Sequence, residues 1–161
     1  MQTDAVDHAV ELTPVADVRP GSIRLRGVLI FIPCAVLVSL SAWLTPSKAG
    51  YGTHRGLGLP PCAFLSQTGY PCPSCGMTTA FADMAHGRFV AAFMAQPFGA
   101  VLFVAVMVLG LVGLGELLTG RGIIGYLRPG PWWAVATVAG LLLGWGIKIA
   151  CGLAAGTLPV R

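Results

Sequence analysis

Three long apolar stretches, separated by polar and turn-rich segments, set the plan of this chain. Gly27 to Leu44 carries no charge and lies near the lower end of the roughly 17–25 residues that cross a bilayer core. Pro33 within it bends a helix without preventing insertion, and Trp43 falls at its far end, where indole favours the interface. Phe98 to Leu118 is the second stretch, entered through Pro97, which suits a helix first turn. The third runs from about Trp132 to Gly152 and repeats Ala136, Gly140 and Gly144 on one face. Such a small-residue stripe lets another helix approach closely, so the Gly140/Gly144 face is the expected contact for another membrane protein. Thr45 to Pro61 is rich in Gly and Pro and reads as a loop. Met77, Ala80, Phe81, Met84 and Ala85 then recur at helical spacing, which predicts a short amphipathic helix over Thr78 to His86. Gly87 interrupts it and Phe89 to Ala95 resumes. Asp83, His86 and Arg88 make this stretch a poor span, so it is expected at the interface or as a re-entrant piece over the bundle.

The predicted fold class is an all-α membrane protein: three transmembrane helices plus a short amphipathic interfacial or re-entrant helix after a Cys-Pro-Ser-Cys turn. Residues 1–26 are expected to be a disordered cytoplasmic tail, 27–154 a single transmembrane domain, and 155–161 a C-terminal tail. Within the domain the spans fall at about 27–44, 98–118 and 132–152, and 45–97 hold the cysteine-containing loop and the short helix.

Composition supports lipid as the surrounding medium. Of 161 residues, 55% are hydrophobic and 10% charged, against about 25% charged in an ordinary soluble domain. The formal net charge is +4, but the basic residues are scattered and form no stripe that tracks phosphates, which excludes a nucleic-acid binder. Arg19, Arg24, Arg26, Arg121 and Arg128 fall on one side of the spans, and Lys48, Arg55, Arg88 and Arg161 on the other. Because the flank of the first helix usually sets orientation, the N-terminus is expected in the cytoplasm and the cysteine loop outside, in a multi-pass inner (plasma) membrane protein. A secretory signal peptide fits less well, since no small-residue cleavage site follows the first apolar run.

The chemistry concentrates in Cys72-Pro73-Ser74-Cys75, with Cys62 upstream behind Pro60-Pro61. Cys34 and Cys151 lie in apolar runs and read as small packing residues. Cys62, Cys72 and Cys75 leave three readings open. The plainest is structural: free thiols in a tight turn, or a static disulfide of Cys62 with Cys72 or Cys75 that staples the loop, worth roughly 2–4 kcal/mol. Two thiols at Cys-x-x-Cys spacing before a helix start also form a redox pair, Cys72 attacking and Cys75 resolving, because amides at a helix start lower a nearby thiol pKa. Finally, Cys62, Cys72 and Cys75 with His54 or His86 would supply the four ligands of structural zinc. No cofactor is required, and zinc is the one this donor set would admit. Asp83 and His86 stand at helical spacing and would do acid/base work together. Lys148 lies near the outer end of the third span, and an embedded lysine invites a functional role. Glu116 belongs to the opposite end, so Asp83 is the expected partner of Lys148.

Thr68-Gly69-Tyr70-Pro71-Cys72-Pro73-Ser74-Cys75-Gly76-Met77-Thr78, followed by Ala80, resembles a bacterial family of small membrane proteins of unknown function. That family carries a Thr-Gly-x-x-Cys-Pro-x-Cys-Gly-x-Thr-Arg-Ala signature. His86-Gly87, Gln96-Pro97 and Cys62 are similar to further positions of that family, and Gly144-Trp145-Gly146-Ile147-Lys148 matches more loosely. Thr79 stands where the family has Arg, so a role for that arginine is not implied here. The resemblance implies a three- or four-helix membrane protein and supplies no activity. The expected function is a non-enzymatic membrane component whose Cys-Pro-Ser-Cys loop shapes an outward surface. A membrane thiol-disulfide oxidoreductase and a metal-binding membrane module are the alternatives.

Overall fold

A computed structural model describes residues 20–124, 130–154 and 156. The described chain is helical: α1 (Pro20–Trp43), a 3-10 turn (Thr53–Leu57), α2 (Ala63–Thr68), α3 (Met77–Ala85), α4 (Phe89–Ala95), α5 (Pro97–Thr119) and α6 (Trp132–Ala154). Three of these, α1, α5 and α6, are long and apolar enough to cross a membrane. The expected disordered tail lies outside the described residues over 1–19, as does the C-terminal tail except for Gly156. Residues 20–26, assigned by sequence to that tail, instead form the first turns of α1.

The early start of α1 rests on a partner distant in sequence. Arg26 looks like a flanking charge, but its guanidinium forks onto Glu116 of α5, with Nε to Oε2 at 3.0 Å and Nη2 to Oε1 at 2.7 Å. Glu116 is fully buried and also accepts the Ile124 amide at 2.7 Å. With its charge paired and hydrogen-bonded, Arg26 can stay helical beside a span.

In lipid, helix association rests on close packing rather than on burial from water. The seam between α1 and α5 shows this. A Cβ at Gly27 would come within 2.7 Å of the Gly113 carbonyl and the Leu117 amide, and one at Gly110 within 3.1 Å of Cys34 Cβ. Cys34 is thus the packing residue expected from sequence. Hydroxyls within the spans bond back to carbonyls one turn earlier, as Ser41 does to Leu37 and Thr137 to Trp133.

The segment after the cysteines folds as a short hairpin, α3 and α4, joined through His86-Gly87 and packed on α5. Ala80, Ala92, Ala95 and Ala100 form its close-packed centre, and Phe81 meets Phe103 edge to face at 5.4 Å. Phe89, Val90, Phe93 and Met94 of α4 point outward. The small-residue stripe of α6 is used inside the chain. A Cβ at Gly140 would meet the Phe98 ring at 2.8 Å, and one at Gly144 would meet Phe98 Cβ at 3.0 Å. The Gly140/Gly144 face therefore seats Phe98 of α5 within the chain.

Candidate functional site

Cys72 to Cys75 form a tight turn, with the Cys75 amide on the Cys72 carbonyl at 2.9 Å and the Met77 amide on the Ser74 carbonyl at 3.1 Å. Gly76 follows with φ 93°, a left-handed conformation open to glycine, and α3 begins at Met77. No side chain fits there: a Cβ on Gly76 would sit 2.6 Å from the Ala95 carbonyl and 2.8 Å from that of Gly50.

Prolines remove two amides from this segment and leave the turn little local hydrogen bonding. Three polar side chains from the membrane helices and their junction hold its alternate carbonyls instead. Trp145 Nε1 of α6 donates to Pro71 O at 2.8 Å. Gln96 Nε2, between α4 and α5, donates to Pro73 O at 3.0 Å. Lys148 Nζ of α6 donates to Cys75 O at 2.9 Å, and to Gly50 O at 3.3 Å. The turn thus hangs from the bundle by its backbone, which frees its thiols. A further buried link ties the loop to α3: Thr53 and Thr79 hydroxyls lie 2.8 Å apart, and Thr53 also accepts the Ser47 amide.

The sulfurs of Cys62, Cys72 and Cys75 lie within 4.8 Å of one another. Cys72 Sγ is 3.2 Å from Cys75 Sγ and 3.3 Å from the Ser74 hydroxyl. All three residues line a cleft of about 300 Å³, shared with His54 and Thr78. Cys75 is buried, whereas Cys62 and Cys72 keep partial exposure. The two turn thiols differ in acidity. Burial pushes Cys72 up, but hydrogen bonds from the Ser74 hydroxyl, the Cys75 and Cys62 thiols and the Ser74 amide outweigh it and bring Cys72 down to about 7. Burial and the neighbouring sulfurs of Cys72 and Cys62 push Cys75 up to about 12. The sequence assigned the acidifying effect to a helix start; at Cys72 the lowering comes from hydrogen bonds with Ser74, Cys75 and Cys62.

Other predicted site residues lie elsewhere. Asp83 Oδ1 accepts from Arg88 Nε at 2.8 Å, so it pairs with Arg88 and not with Lys148. His86 Nδ1 lies 2.7 Å from the Ala82 carbonyl. The partners Asp83 and His86 are seen with are therefore Arg88 and the Ala82 carbonyl on their own hairpin. Neither His86 nor His54 joins the sulfur cluster among the described residues, although His54 borders the cleft, with Nε2 3.2 Å from the Pro60 carbonyl. The sequence reading gave no role to Gln96 or Trp145. The available signals were a glutamine between two apolar helices and a tryptophan three residues from Lys148 on one helix face.

No curated protein and no solved structure matches the chain. A family model described as protein of unknown function (DUF2752) covers residues 62–110, which hold the three clustered cysteines, the α3–α4 hairpin and the first half of α5. The chain is an integral membrane protein whose central segment matches that family.

Proposed function

We propose that this protein is a membrane thiol–disulfide exchange protein, with Cys72 as the attacking thiol and Cys75 as the resolving one. The observation that carries this reading is the 3.2 Å contact between Cys72 and Cys75 sulfurs at the wall of an accessible cleft. A static staple needs no cleft and no difference between its two thiols. Here the more exposed thiol is the more acidic, the order exchange requires.

In the exchange, the Cys72 thiolate attacks one sulfur of a substrate disulfide. A Cys72–substrate disulfide forms, and the substrate's other sulfur leaves as a thiolate. That thiolate takes the Cys75 proton, and Cys75 then attacks Cys72 Sγ. The intramolecular disulfide closes and the substrate's second sulfur departs as a thiolate, which takes a proton from water. The substrate gains two electrons and the cysteine pair loses them; the reverse sequence oxidises a dithiol. An oxidising compartment outside the membrane would make that reverse direction the productive one.

Thiol trapping with mass spectrometry, on full-length protein in glutathione buffers of graded potential, tests this reading. Cys72 and Cys75 are expected to interconvert reversibly between dithiol and disulfide, and Cys75→Ser to accumulate a mixed disulfide on Cys72. A pair that stays bonded, or stays reduced, across the whole range would refute it.

A further inference from the structure

Exchange needs two thiols, and this site has three. It also has a cation with no anion. Among the described residues the carboxylates are Asp83 and Glu116, and both are paired with arginines, Arg88 and Arg26. Lys148 reaches only two carbonyls, Gly50 O and Cys75 O, with the Tyr51 ring 5.8 Å away. An ammonium placed on a membrane helix is expensive unless a negative charge offsets it. The clustered thiols can become negative, and Lys148 already holds the backbone carbonyl of one of them, Cys75.

We infer that Cys62, Cys72 and Cys75, in the reduced protein, bind one thiophilic divalent cation of the zinc class as a trithiolate, with Lys148 balancing its charge. Zinc–sulfur bonds of about 2.3 Å place the sulfurs of a tetrahedral site about 3.8 Å apart. The cluster, closed within 4.8 Å with the Cys72 and Cys75 sulfurs 3.2 Å apart, needs only small side-chain adjustments to reach this. Three thiols release three protons as the cation binds, leaving a complex of net charge −1. Lys148 brings the local sum to zero. The turn is already fixed through the Pro71, Pro73 and Cys75 carbonyls, so little backbone ordering remains to be done on binding. All three cysteines line the cleft of about 300 Å³, so water or an incoming donor could complete the coordination from there.

This inference rests on the three sulfurs and Lys148, not on the exchange reading. The two are linked in one respect: closing the Cys72–Cys75 disulfide removes two of the three ligands and expels the cation. The site would therefore hold metal only when reduced.

The test is a titration of full-length protein in lipid nanodiscs, fully reduced and stripped by a chelator, with Cd²⁺ as the probe. The ultraviolet sulfur-to-cadmium charge-transfer band is expected to saturate at one Cd²⁺ per chain and to be displaced by Zn²⁺. Cys62→Ser should lower the band by about a third, as one of three thiolate bonds is lost. Lys148→Met should weaken binding on the order of 10-fold while keeping the full band, and Lys148→Arg should restore affinity. Cys151→Ser serves as the unaffected control. Absence of the band, or a band unchanged in Cys62→Ser, would overturn the inference. If Lys148→Met fails to accumulate, the Cys62→Ser comparison decides alone. Because no oxidant is present, none of these outcomes depends on whether the cysteines cycle.

Discussion

The two ends of the helix bundle bury charge in opposite ways. At one, Arg26 and Glu116 form a two-pronged pair, and Glu116 also takes the Ile124 amide. Every demand made there is met within the protein. At the other, Lys148 finds carbonyls only, and the Gln96 side-chain oxygen is buried with no hydrogen-bond partner. A membrane protein tolerates a buried charge most readily when it is matched, so the closed end reads as structural. The open end holds the sulfur cluster, and its unmet electrostatics are why the proposed exchange and the inferred cation are placed there.

The largest effect that would test this contrast is expected at the closed end. Glu116→Ala strands Arg26 and the Ile124 amide, and should cost about 3 kcal/mol, the low end for a buried pair because Arg26 keeps some exposure. Thermal unfolding in detergent should show the loss, while Cys72 reactivity below the transition stays as in the parent. An unchanged unfolding midpoint would remove the structural role of the pair. Gly76→Ala comes next. The left-handed backbone and the crowding against Gly50 and Ala95 carbonyls should cost about 2–3 kcal/mol. Unlike Glu116→Ala, it should also narrow the reactivity gap between Cys72 and Cys75, read by site-resolved alkylation. The smallest effect belongs to Asp83→Asn. Arg88 is half exposed, so the pair should be worth about 0.5–1 kcal/mol, with no change in thiol chemistry. A change in Cys72 alkylation rate in that variant would reopen Asp83 as a partner of the site.

Much of the frame could be read from the sequence. The expected second and third spans agree with α5 and α6 to within two residues at each end, and Phe89–Ala95 agrees with α4. Runs of apolar residues long enough to cross lipid leave few alternatives. The errors lie where a long-range partner decides. Arg26 looks like a flank until Glu116 is placed beside it. The 3-10 turn and α2 fall in a Gly- and Pro-rich stretch whose local signal is loop. The sequence places Lys148 at the cysteine end, as the structure does, but its expected partner Asp83 pairs with Arg88, five residues away. The three cysteines were legible as a set. Their convergence was not, since it depends on carbonyl anchors from Trp145 and Gln96 that no local spacing encodes.

The most direct measurement is the pH dependence of site-resolved alkylation in the reduced, chelator-stripped, full-length protein. Cys72 should react with a rate that rises with pH and reaches half its limit at about 7, while Cys75 stays unreactive through neutral pH because its thiol is held up to about 12. A Cys72 profile centred at the ordinary thiol value of about 8.5, or Cys75 labelled ahead of Cys72, would contradict the assignment of Cys72 as the attacking thiol.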